Sequence, residues 1–320
     1  MIRTGIIGGA GYTAGELIRI LLNHPEAEIV FVHSESNAGN KLYDLHSGIF
    51  GDTELCFADT YDLSAIDVLF LCSGHGKSSA FWAENPRPEG LKVVDLAQDF
   101  RDESCGYVYG LPELKREAIK TSSLVANPGC FATAIQLALL PLAATGKLKG
   151  DVNVTAITGS TGAGVKPGPT THFSWRNNNL SVYKAFEHQH LIEIGATIRG
   201  LQPSFEGEID FVPVRGDFAR GILASVYTEY DGSVEEAVAM YKDYYKDAAF
   251  TFVSDKPVDL KQVVNTNKCL LHVEKHGSKL LITSVIDNLL NGASGQAVQN
   301  MNLIFGLDET AGLKLKASAF

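Results

Sequence analysis

One cysteine at a strand-to-helix turn is the residue in this chain best suited to covalent chemistry. The run Asn127-Pro128-Gly129-Cys130 follows a short apolar segment and precedes a helix-like run. Asn127 suits an N-cap and Pro128 the first helical position, which predicts that Cys130 lies in the first turn of the helix. Free N–H groups and the helix dipole favour a nucleophilic thiolate there. The alternative is that Cys130 is a small buried hydrophobe, as most free cysteines are.

A second candidate for proton chemistry lies in the run His188-Gln189-His190, which Glu193 follows. A metal site would need further ligands, and no cluster of cysteines or carboxylates supplies them, so no metal is predicted. A histidine oriented by a carboxylate is enough for general acid/base catalysis. The alternative is a helix-cap or core histidine.

The start of the chain predicts a dinucleotide-binding βαβ unit. A strand at 2–7 leads into a glycine-rich turn, a helix at 16–22 and a second strand at 28–33. The glycines form a GxxGxxxG variant of the usual GxGxxG, so that a pyrophosphate can lie on the helix N-terminus. The alternative is a tight strand–helix turn without a ligand. The predicted cofactor-binding residues of this turn are Gly8, Gly11, Tyr12, Thr13, Ala14 and Gly15.

The loop after the second strand bears on the choice of cofactor. Ser34 and Ser36, with Lys41 nearby, suit the 2′-phosphate of NADP, whereas Glu35 favours the ribose hydroxyls of NAD. We predict NADP(H), with Ser34 and Ser36 as ligands. An ordinary polar loop is the alternative.

Further strands at 67–72 and 91–96 alternate with helices, which predicts an α/β, Rossmann-type, doubly wound parallel sheet. Ligands of such sheets lie at the carboxyl ends of the strands. The loops 73–77 and 99–101 follow two of these ends.

In the first loop Ser73 and Gly74 are predicted to contact the cofactor, and His75 is expected to be a loop or core histidine. In the second loop Arg101 is a candidate for binding an anion through its guanidinium. A surface salt bridge is the alternative for Arg101.

The rest of the chain predicts a second, α+β domain. Strand-like alternation covers 151–158 and 208–228, and an amphipathic helix covers 233–247. We expect an antiparallel sheet, completed by strands near 250–253, 269–274 and 279–286. The glycine-rich stretch 158–167 is predicted to be a loop that lines a site. A last helix within 292–306 is expected to pack on the first domain.

Composition narrows the class of protein. The 320 residues, 45% hydrophobic and 20% charged, indicate a soluble globular protein of two domains. Five scattered cysteines without a CxxC motif fit a reducing cytosol. The net charge of −10 argues against general nucleic-acid binding. Without a signal-peptide pattern or a membrane-spanning run, we expect a cytoplasmic protein with no nucleic-acid or membrane partner.

Several runs, in order and at the right spacing, resemble the N-acetyl-γ-glutamyl-phosphate reductase family, which is related to aspartate-semialdehyde dehydrogenase. The run from Val125 to Ala134 is similar to the active-site signature of that family. The remaining runs are Gly8 to Leu17, Asp95 to Arg101, Tyr109 to Leu114, His188 to His190 with Glu193 and Ile194, and Gly292 to Gly306.

The resemblance implies an NADPH-dependent reductive dephosphorylation in arginine biosynthesis. The Cys130 thiolate would attack the acyl phosphate, phosphate would leave, and hydride would reduce the thioester to the γ-semialdehyde. His188 would act as acid/base and Arg101 would bind the substrate phosphate. The remaining site residues implied are Asn127, His190 and Glu193 for the substrate, and Gly162 and Asn288 for the cofactor.

The family's fold further implies a dinucleotide-binding domain of residues 1–128 and 290–320, and a catalytic and dimerisation domain of residues 129–289. The implied partners are the small-molecule substrate, phosphate and further copies of the chain, as a homodimer or homotetramer.

Three departures from the family's pattern leave room for different substrates and cofactors. Val165 and Lys166 stand where an arginine is usual, and the run 213–221 lacks the family's histidine, which leaves N-succinyl as an alternative to N-acetyl. Glu35 weakens the preference for NADP over NAD. The chain could also be an aspartate-semialdehyde dehydrogenase, or a redox sensor that uses Cys130 without turnover. The oligomeric state, and which of His188 and His190 is the acid/base, stay open.

Overall fold

The computed structural model describes residues 1–74 and 76–318, so the expectation for His75 lies outside the described residues. The strands are β1 (Ile2–Ile7), β2 (Ala27–His33), β3 (Val68–Leu71), β4 (Lys92–Asp95), β5 (Val108–Tyr109), β6 (Leu124–Ala126), β7 (Lys149–Thr158), β8 (Ser181–Val182), β9 (Ile209–Arg215), β10 (Ile222–Glu229), β11 (Thr251–Ser254), β12 (Cys269–His276) and β13 (Lys279–Ile286). The helices are α1 (Tyr12–Leu21), α2 (Leu42–Leu45), α3 (Ser78–Glu84), α4 (Pro112–Thr121), α5 (Cys130–Ala144), α6 (Phe173–Arg176), α7 (His190–Leu201), α8 (Val234–Tyr244) and α9 (Gly295–Ile304).

The chain divides into two compact units. The first unit is Met1–Pro128 with Ala293–Lys314, and the second is Gly129–Gly292 with the described residues from 315 to 318. The first unit resumes at Ala293 and not at the expected residue 290, and the last described residues pack with the second unit. Cys130 therefore stands two residues after the chain leaves the first unit.

The first unit is built on a parallel sheet, as the alternation of strands and helices predicted. Its described strands lie in the order β2-β1-β3-β4-β6-β5, and each described pair is parallel. The order reverses direction between β1 and β3, which is where doubly wound sheets bind ligands. Helix α9 packs on α1 and α4 of this unit.

The second unit holds a mixed sheet in the order β11-β12-β13-β10-β7-β9-β8. The predicted antiparallel sheet is in fact mixed: four neighbouring pairs of its described strands are antiparallel, whereas β7 pairs with β9 and β11 pairs with β12 in parallel. Parallel neighbours need a long crossover, and the connection from β7 to β9 supplies one that contains α7. Alternation of buried and less buried residues along β9 and β10 still matches a sheet with one covered face.

Helix α5 is the buried centre of the second unit. Its residues from Phe131 to Ala143 are all buried, as a helix that is apolar on every side must be. Pro141 has no N–H, so it cannot donate to the carbonyl of Leu137. The Tyr245 hydroxyl donates to that carbonyl instead. The helix that begins at Cys130 is thus fixed along its length by the sheet, α7 and α8.

Candidate active site

Cys130 is the first residue of α5, and Gly129 is the N-cap. The prediction of Asn127 as the N-cap is wrong, because its side chain forms hydrogen bonds within the first unit. Asn127 is 1% exposed; its Oδ1 accepts from Asn300 Nδ2 at 3.1 Å and its Nδ2 donates to the Ala293 carbonyl at 3.2 Å. Cys130 is half-buried at the positive end of a long helix. This position still favours a thiolate, as predicted.

Helix α7 brings His190 and Glu193 to the turn before Cys130. Glu193 Oε2 accepts the Gly129 N–H at 3.1 Å, and Glu193 Oε1 lies 3.9 Å from His190 Nε2. A Cβ atom at Gly129 would lie only 2.3 Å from His190 Nε2, so a glycine is needed for this approach. Both side chains are buried. His190 and Glu193 therefore hold the Gly129–Cys130 turn in place.

His188 lies just before α7 in an aromatic pocket. Its ring centroid is 5.4 Å from that of Phe131, 4.6 Å from that of His190 and 5.9 Å from that of Tyr183. Burial, with the positive charges of Lys184 and Arg215 nearby, lowers the pKa of His188 to about 4. His188 is therefore neutral near pH 7.

A hydrogen bond to its Nδ1 determines which nitrogen of neutral His188 carries the proton. Its Nδ1 accepts the backbone N–H of His190 at 3.2 Å, which assigns the proton to Nε2. His188 thus presents a neutral N–H donor and not a free lone pair on Nε2. Such a donor suits an oxygen on which negative charge develops.

Tyr183 and Arg215 lie in the same cluster as Phe131, His188 and His190, called the catalytic cluster below. Sequence reasoning missed both. The Arg215 guanidinium carbon lies 4.5 Å from the centroid of the Tyr183 ring. Burial, and next the negative charge of the Cys130 thiolate, raise the pKa of Tyr183 to about 12. The alternation of β9 could have indicated Arg215, because residues 211, 213 and 215 share one face of the strand.

Asn288, a predicted cofactor residue of the second unit, holds the glycine-rich loop that contains the other one, Gly162. Asn288 Oδ1 accepts the Gly221 N–H at 2.7 Å, and Asn288 Nδ2 donates to Thr161 Oγ1 at 3.0 Å. Thr161 precedes the exposed Gly162 in a short 3₁₀ turn, Ser160–Ala163. The network anchors the glycine-rich loop, which is a loop as predicted.

The turn after β13 approaches the cysteine directly. The Gly292 N–H donates to the Asp287 carbonyl at 3.0 Å, and a Cβ at Gly292 would lie 2.8 Å from Cys130 Cβ. Asp287 is fully buried and pairs with Arg220 at 3.1 Å. This pair fixes the turn that covers Cys130 on one side.

In the first unit the predicted glycine turn lies at the carboxyl end of β1. Gly8 has a φ of +82°, and a Cβ there would lie 2.8 Å from the Cys72 carbonyl carbon, beside Ser73. His46, which sequence reasoning missed, places its Nε2 2.8 Å from the Gly9 carbonyl. The close backbone approach at Gly8 and the N-terminus of α1, with Tyr12, Thr13 and Ala14, fit a dinucleotide pyrophosphate.

The predicted serines of the first unit lie at the end of β2. Asn37 Nδ2 donates to Ser34 Oγ at 3.1 Å and to Ser36 Oγ at 3.0 Å. Lys41, in contrast, pairs with Glu54 at 3.1 Å.

The Arg101 side chain joins the ends of two strands. Its Nε donates to the Asn127 carbonyl at 2.8 Å and its Nη2 to the Leu96 carbonyl at 3.1 Å. Arg101 therefore ties the loop after β4 to the end of β6.

The remaining cysteines compete poorly with Cys130 as nucleophiles. The five cysteines, all within the described ranges, form no disulfide bonds with one another. Burial, with the charge of Asp95, raises the pKa of the Cys72 thiol to about 12. Cys269 is fully buried. Across the described part of the chain, no group of three or more His, Cys, Asp or Glu side chains could hold a metal ion.

Comparisons with known proteins fit this arrangement. Residues 3–122 match the family "Semialdehyde dehydrogenase, NAD binding domain", and residues 130–288 match "Semialdehyde dehydrogenase, dimerisation domain". The N-acetyl-gamma-glutamyl-phosphate reductases of Bacteroides thetaiotaomicron and Flavobacterium johnsoniae are 62% and 55% identical, each over 100% of both chains. These names support the reductase over an aspartate-semialdehyde dehydrogenase or a redox sensor.

Solved structures show the same fold at low identity. Aspartate semialdehyde dehydrogenase II from Vibrio cholerae has a TM-score of 0.74 at 20% identity, over 96% of this chain and 99% of that one. Aspartate semialdehyde dehydrogenase with NADP from Candida albicans has a TM-score of 0.71 at 14% identity, over 95% and 98%. The predicted fold class, a Rossmann-type domain followed by an α+β domain, is confirmed. The chain is an oxidoreductase that belongs to the N-acetyl-γ-glutamyl-phosphate reductase family.

Proposed function

We propose that this chain catalyses the NADPH-dependent reductive dephosphorylation of N-acetyl-γ-glutamyl phosphate to N-acetylglutamate 5-semialdehyde through a thioester on Cys130. The observation that carries the proposal is the placement of Cys130 at the start of buried α5, with Glu193 and His190 packed on the preceding turn. The helix N-terminus favours the thiolate form of such a cysteine, and half-burial shields it in part from water. The resemblance places this reaction in arginine biosynthesis.

The chemistry divides into two additions to one carbonyl carbon. The Cys130 thiolate adds to the acyl phosphate, and the tetrahedral oxyanion collapses as phosphate leaves. A nicotinamide cofactor, when bound, would supply the hydride that reduces the resulting thioester. The second oxyanion collapses to the aldehyde and returns the thiolate.

Neither collapse requires a net proton transfer to the carbonyl oxygen. A neutral hydrogen-bond donor is therefore sufficient at that oxygen, and we assign this role to His188 through its Nε2–H. His190 and Glu193 act through the Gly129–Cys130 turn and are positioning residues. Arg101 remains our candidate for the substrate phosphate and Asn127 for the substrate.

The reverse reaction tests the proposed function. With N-acetylglutamate semialdehyde, phosphate and NADP, the enzyme should form NADPH at a steady rate that depends on phosphate. Aspartate semialdehyde in the same assay is the control and should react much more slowly. If no NADPH forms from N-acetylglutamate semialdehyde, the proposed function is wrong.

We propose that the first unit binds the cofactor and that the second carries the catalytic residues. For the cofactor we propose NADP(H). The proposal is supported by the hydroxyl groups of Ser34 and Ser36, which both accept hydrogen bonds from the Asn37 side chain. The exposed Glu35 carboxylate can turn to solvent. Replacing NADP by NAD in the reverse assay checks this choice: equal kcat/KM for both would contradict it.

We also propose that the chain is a homo-oligomer that assembles through the edge of the sheet at β8. Six large apolar side chains between residues 173 and 192 are each more than half exposed: Phe173 78%, Trp175 51%, Leu180 58%, Val182 58%, Phe186 59% and Ile192 78%. Large exposed apolar side chains grouped in one segment of the chain favour a protein interface. An open edge strand is also prone to pair with another copy.

Replacing Val182 by glutamate should therefore shift the protein toward a monomer of 34.5 kDa. A charge buried in an apolar interface is costly. Phe252→Glu, on the opposite edge strand β11, is the matched control, since Phe252 is 43% exposed. Light scattering after size-exclusion chromatography measures the mass. Dissociation of Phe252→Glu with an intact Val182→Glu oligomer would place the interface elsewhere.

For location we propose the cytoplasm, because a thiolate nucleophile and five cysteines without a disulfide bond among them fit a reducing compartment. Among the described helices, none is both long and apolar enough to cross a bilayer. Fractionation of cells with an antibody against the chain would test this location, and recovery outside the cytosolic fraction would contradict it.

A further inference from the structure

Arg215 ends β9 on the side of the strand that faces the catalytic cluster. Phe211 lies four residues earlier on the same face, and its ring centroid is 5.1 Å from that of Phe131 and 5.4 Å from that of His188. Phe131 directly follows Cys130 in the chain. Phe211 and Arg215 therefore lie on the same face of β9, and Phe211 packs against the helix that carries Cys130.

The Arg215 guanidinium lacks a hydrogen-bond acceptor at one of its N–H groups. Its Nε is buried and has no hydrogen-bond partner among the described residues. The nearby Asp217 carboxylate accepts the Asn178 N–H. One face stacks on the Tyr183 ring, at 4.5 Å from its centroid. A buried guanidinium N–H without an acceptor is costly unless a ligand supplies one.

The adjacent Arg176 shows what a purely structural arginine looks like in this fold. Arg176 donates to the carbonyls of Thr170, Asn179 and Arg215 and to Ser181 Oγ, at 2.7 to 3.2 Å. Its donors are thus used to fold the segment before β8. Arg215, in contrast, has the Tyr183 hydroxyl as a side-chain partner, and its buried Nε has no acceptor among the described residues.

The electrostatic surroundings of Arg215 include two positive side chains and the Asp217 carboxylate, which acts on Arg176. Lys184 and Arg176 lie near enough to act electrostatically in the same cluster as Arg215. Arg215 also falls in the run 213–221, where the chain departs from the family's usual pattern. Positive charge beside a nucleophile favours an anionic part of the substrate.

We propose that Arg215 is a specificity-determining residue that binds a carboxylate of the acylated glutamate substrate. A guanidinium fork matches a carboxylate in a bidentate way, which also fixes the direction of the substrate chain. The carboxylate can come from two sources, the α-carboxylate of glutamate or a carboxylate on the acyl group. This inference rests on the proposed function of the Cys130 site.

Four aldehydes separate the sources in the reverse assay. N-acetylglutamate semialdehyde carries only the α-carboxylate, N-succinyl-4-aminobutanal only the acyl carboxylate, N-succinylglutamate semialdehyde both, and 4-acetamidobutanal neither. Arg215→Met should lower kcat/KM by about 30-fold or more for each aldehyde that carries the bound carboxylate, mainly through KM. For 4-acetamidobutanal the change should stay below about threefold, because no charge-assisted bond is lost.

Arg215→Lys should recover part of the loss, since it keeps the charge and loses the fork. Arg199→Met, on an exposed arginine of α7, is the matched control and should leave all four values unchanged. A loss confined to α-carboxylate aldehydes, or to succinyl aldehydes, supports the proposal and names the source. An equal loss for all four, or a raised KM for phosphate with every aldehyde, overturns it. If the wild type oxidises none of them, the proposed function fails instead.

Discussion

Replacing Cys130 by serine should lower kcat for phosphate-dependent NADPH formation by at least about 10³-fold. Serine fits the half-buried first position of α5, so the turn and the helix should form as before. Its hydroxyl stays protonated near neutral pH and is a far weaker nucleophile than a thiolate. The absorbance of NADPH with N-acetylglutamate semialdehyde as substrate measures the loss.

Two further measurements make the Cys130 result specific. Cys105→Ser, on an exposed cysteine of the first unit, should keep the wild-type kcat. NADP should bind Cys130→Ser as tightly as the wild type, because the proposed cofactor residues are unchanged. Sustained turnover that this substitution abolishes rules out a redox sensor without turnover. Wild-type turnover in Cys130→Ser would refute the covalent mechanism.

The local sequence was sufficient for the parts of the fold that repeat a simple pattern. The continuous apolar run of β3 predicts a strand of a buried parallel sheet, and residues 68–71 are all buried there. The glycine turn from Gly8 to Gly15 needs only its flanking strand and helix to be recognised. In both cases short-range chemistry determines the structure.

The start of α5 shows where local rules stop. Asn127 and Pro128 satisfy the rules for an N-cap and a first helical residue, yet the helix begins at Cys130. The competing partners of Asn127 are Asn300 and Ala293, far along the chain. Only the folded first unit brings them to Asn127, so propensity alone could not predict the outcome.

Some residues of the catalytic cluster could likewise be predicted from local sequence, and others could not. The spacing of His190 and Glu193 on one helix places both side chains on the same face, which sequence reasoning could use. Tyr183 and Arg215 join them through the pairing of β8 with β9 at Ser181 and Arg215. That pairing depends on sheet order, which is not readable from either segment. The proposed carboxylate site could therefore be found only in the structure.

His188 gives the second large effect, and it separates two roles for this residue. If neutral His188 donates from Nε2 to the reacting oxygen, His188→Met should lower kcat by about 10² to 10³-fold. His188→Gln should recover at least about tenfold of that loss, because a glutamine amide nitrogen can stand near the position of Nε2 and donate. Single-turnover rates of NADPH formation measure this step apart from product release.

The pH dependence provides an independent check on the same role. The pKa of His188, lowered to about 4, keeps it neutral as the pH falls through about 6.5, the usual histidine value, so no loss of kcat/KM in that range should come from this residue. His276→Gln, with a side chain 69% exposed, is the control for histidine replacement. A different result would show that His188 transfers a proton. In that case His188→Gln is as slow as His188→Met, and the wild-type profile of kcat/KM against pH has an inflection near the usual histidine pKa that is absent from both variants. That result would require its Nδ1 to give up the hydrogen bond from the His190 N–H.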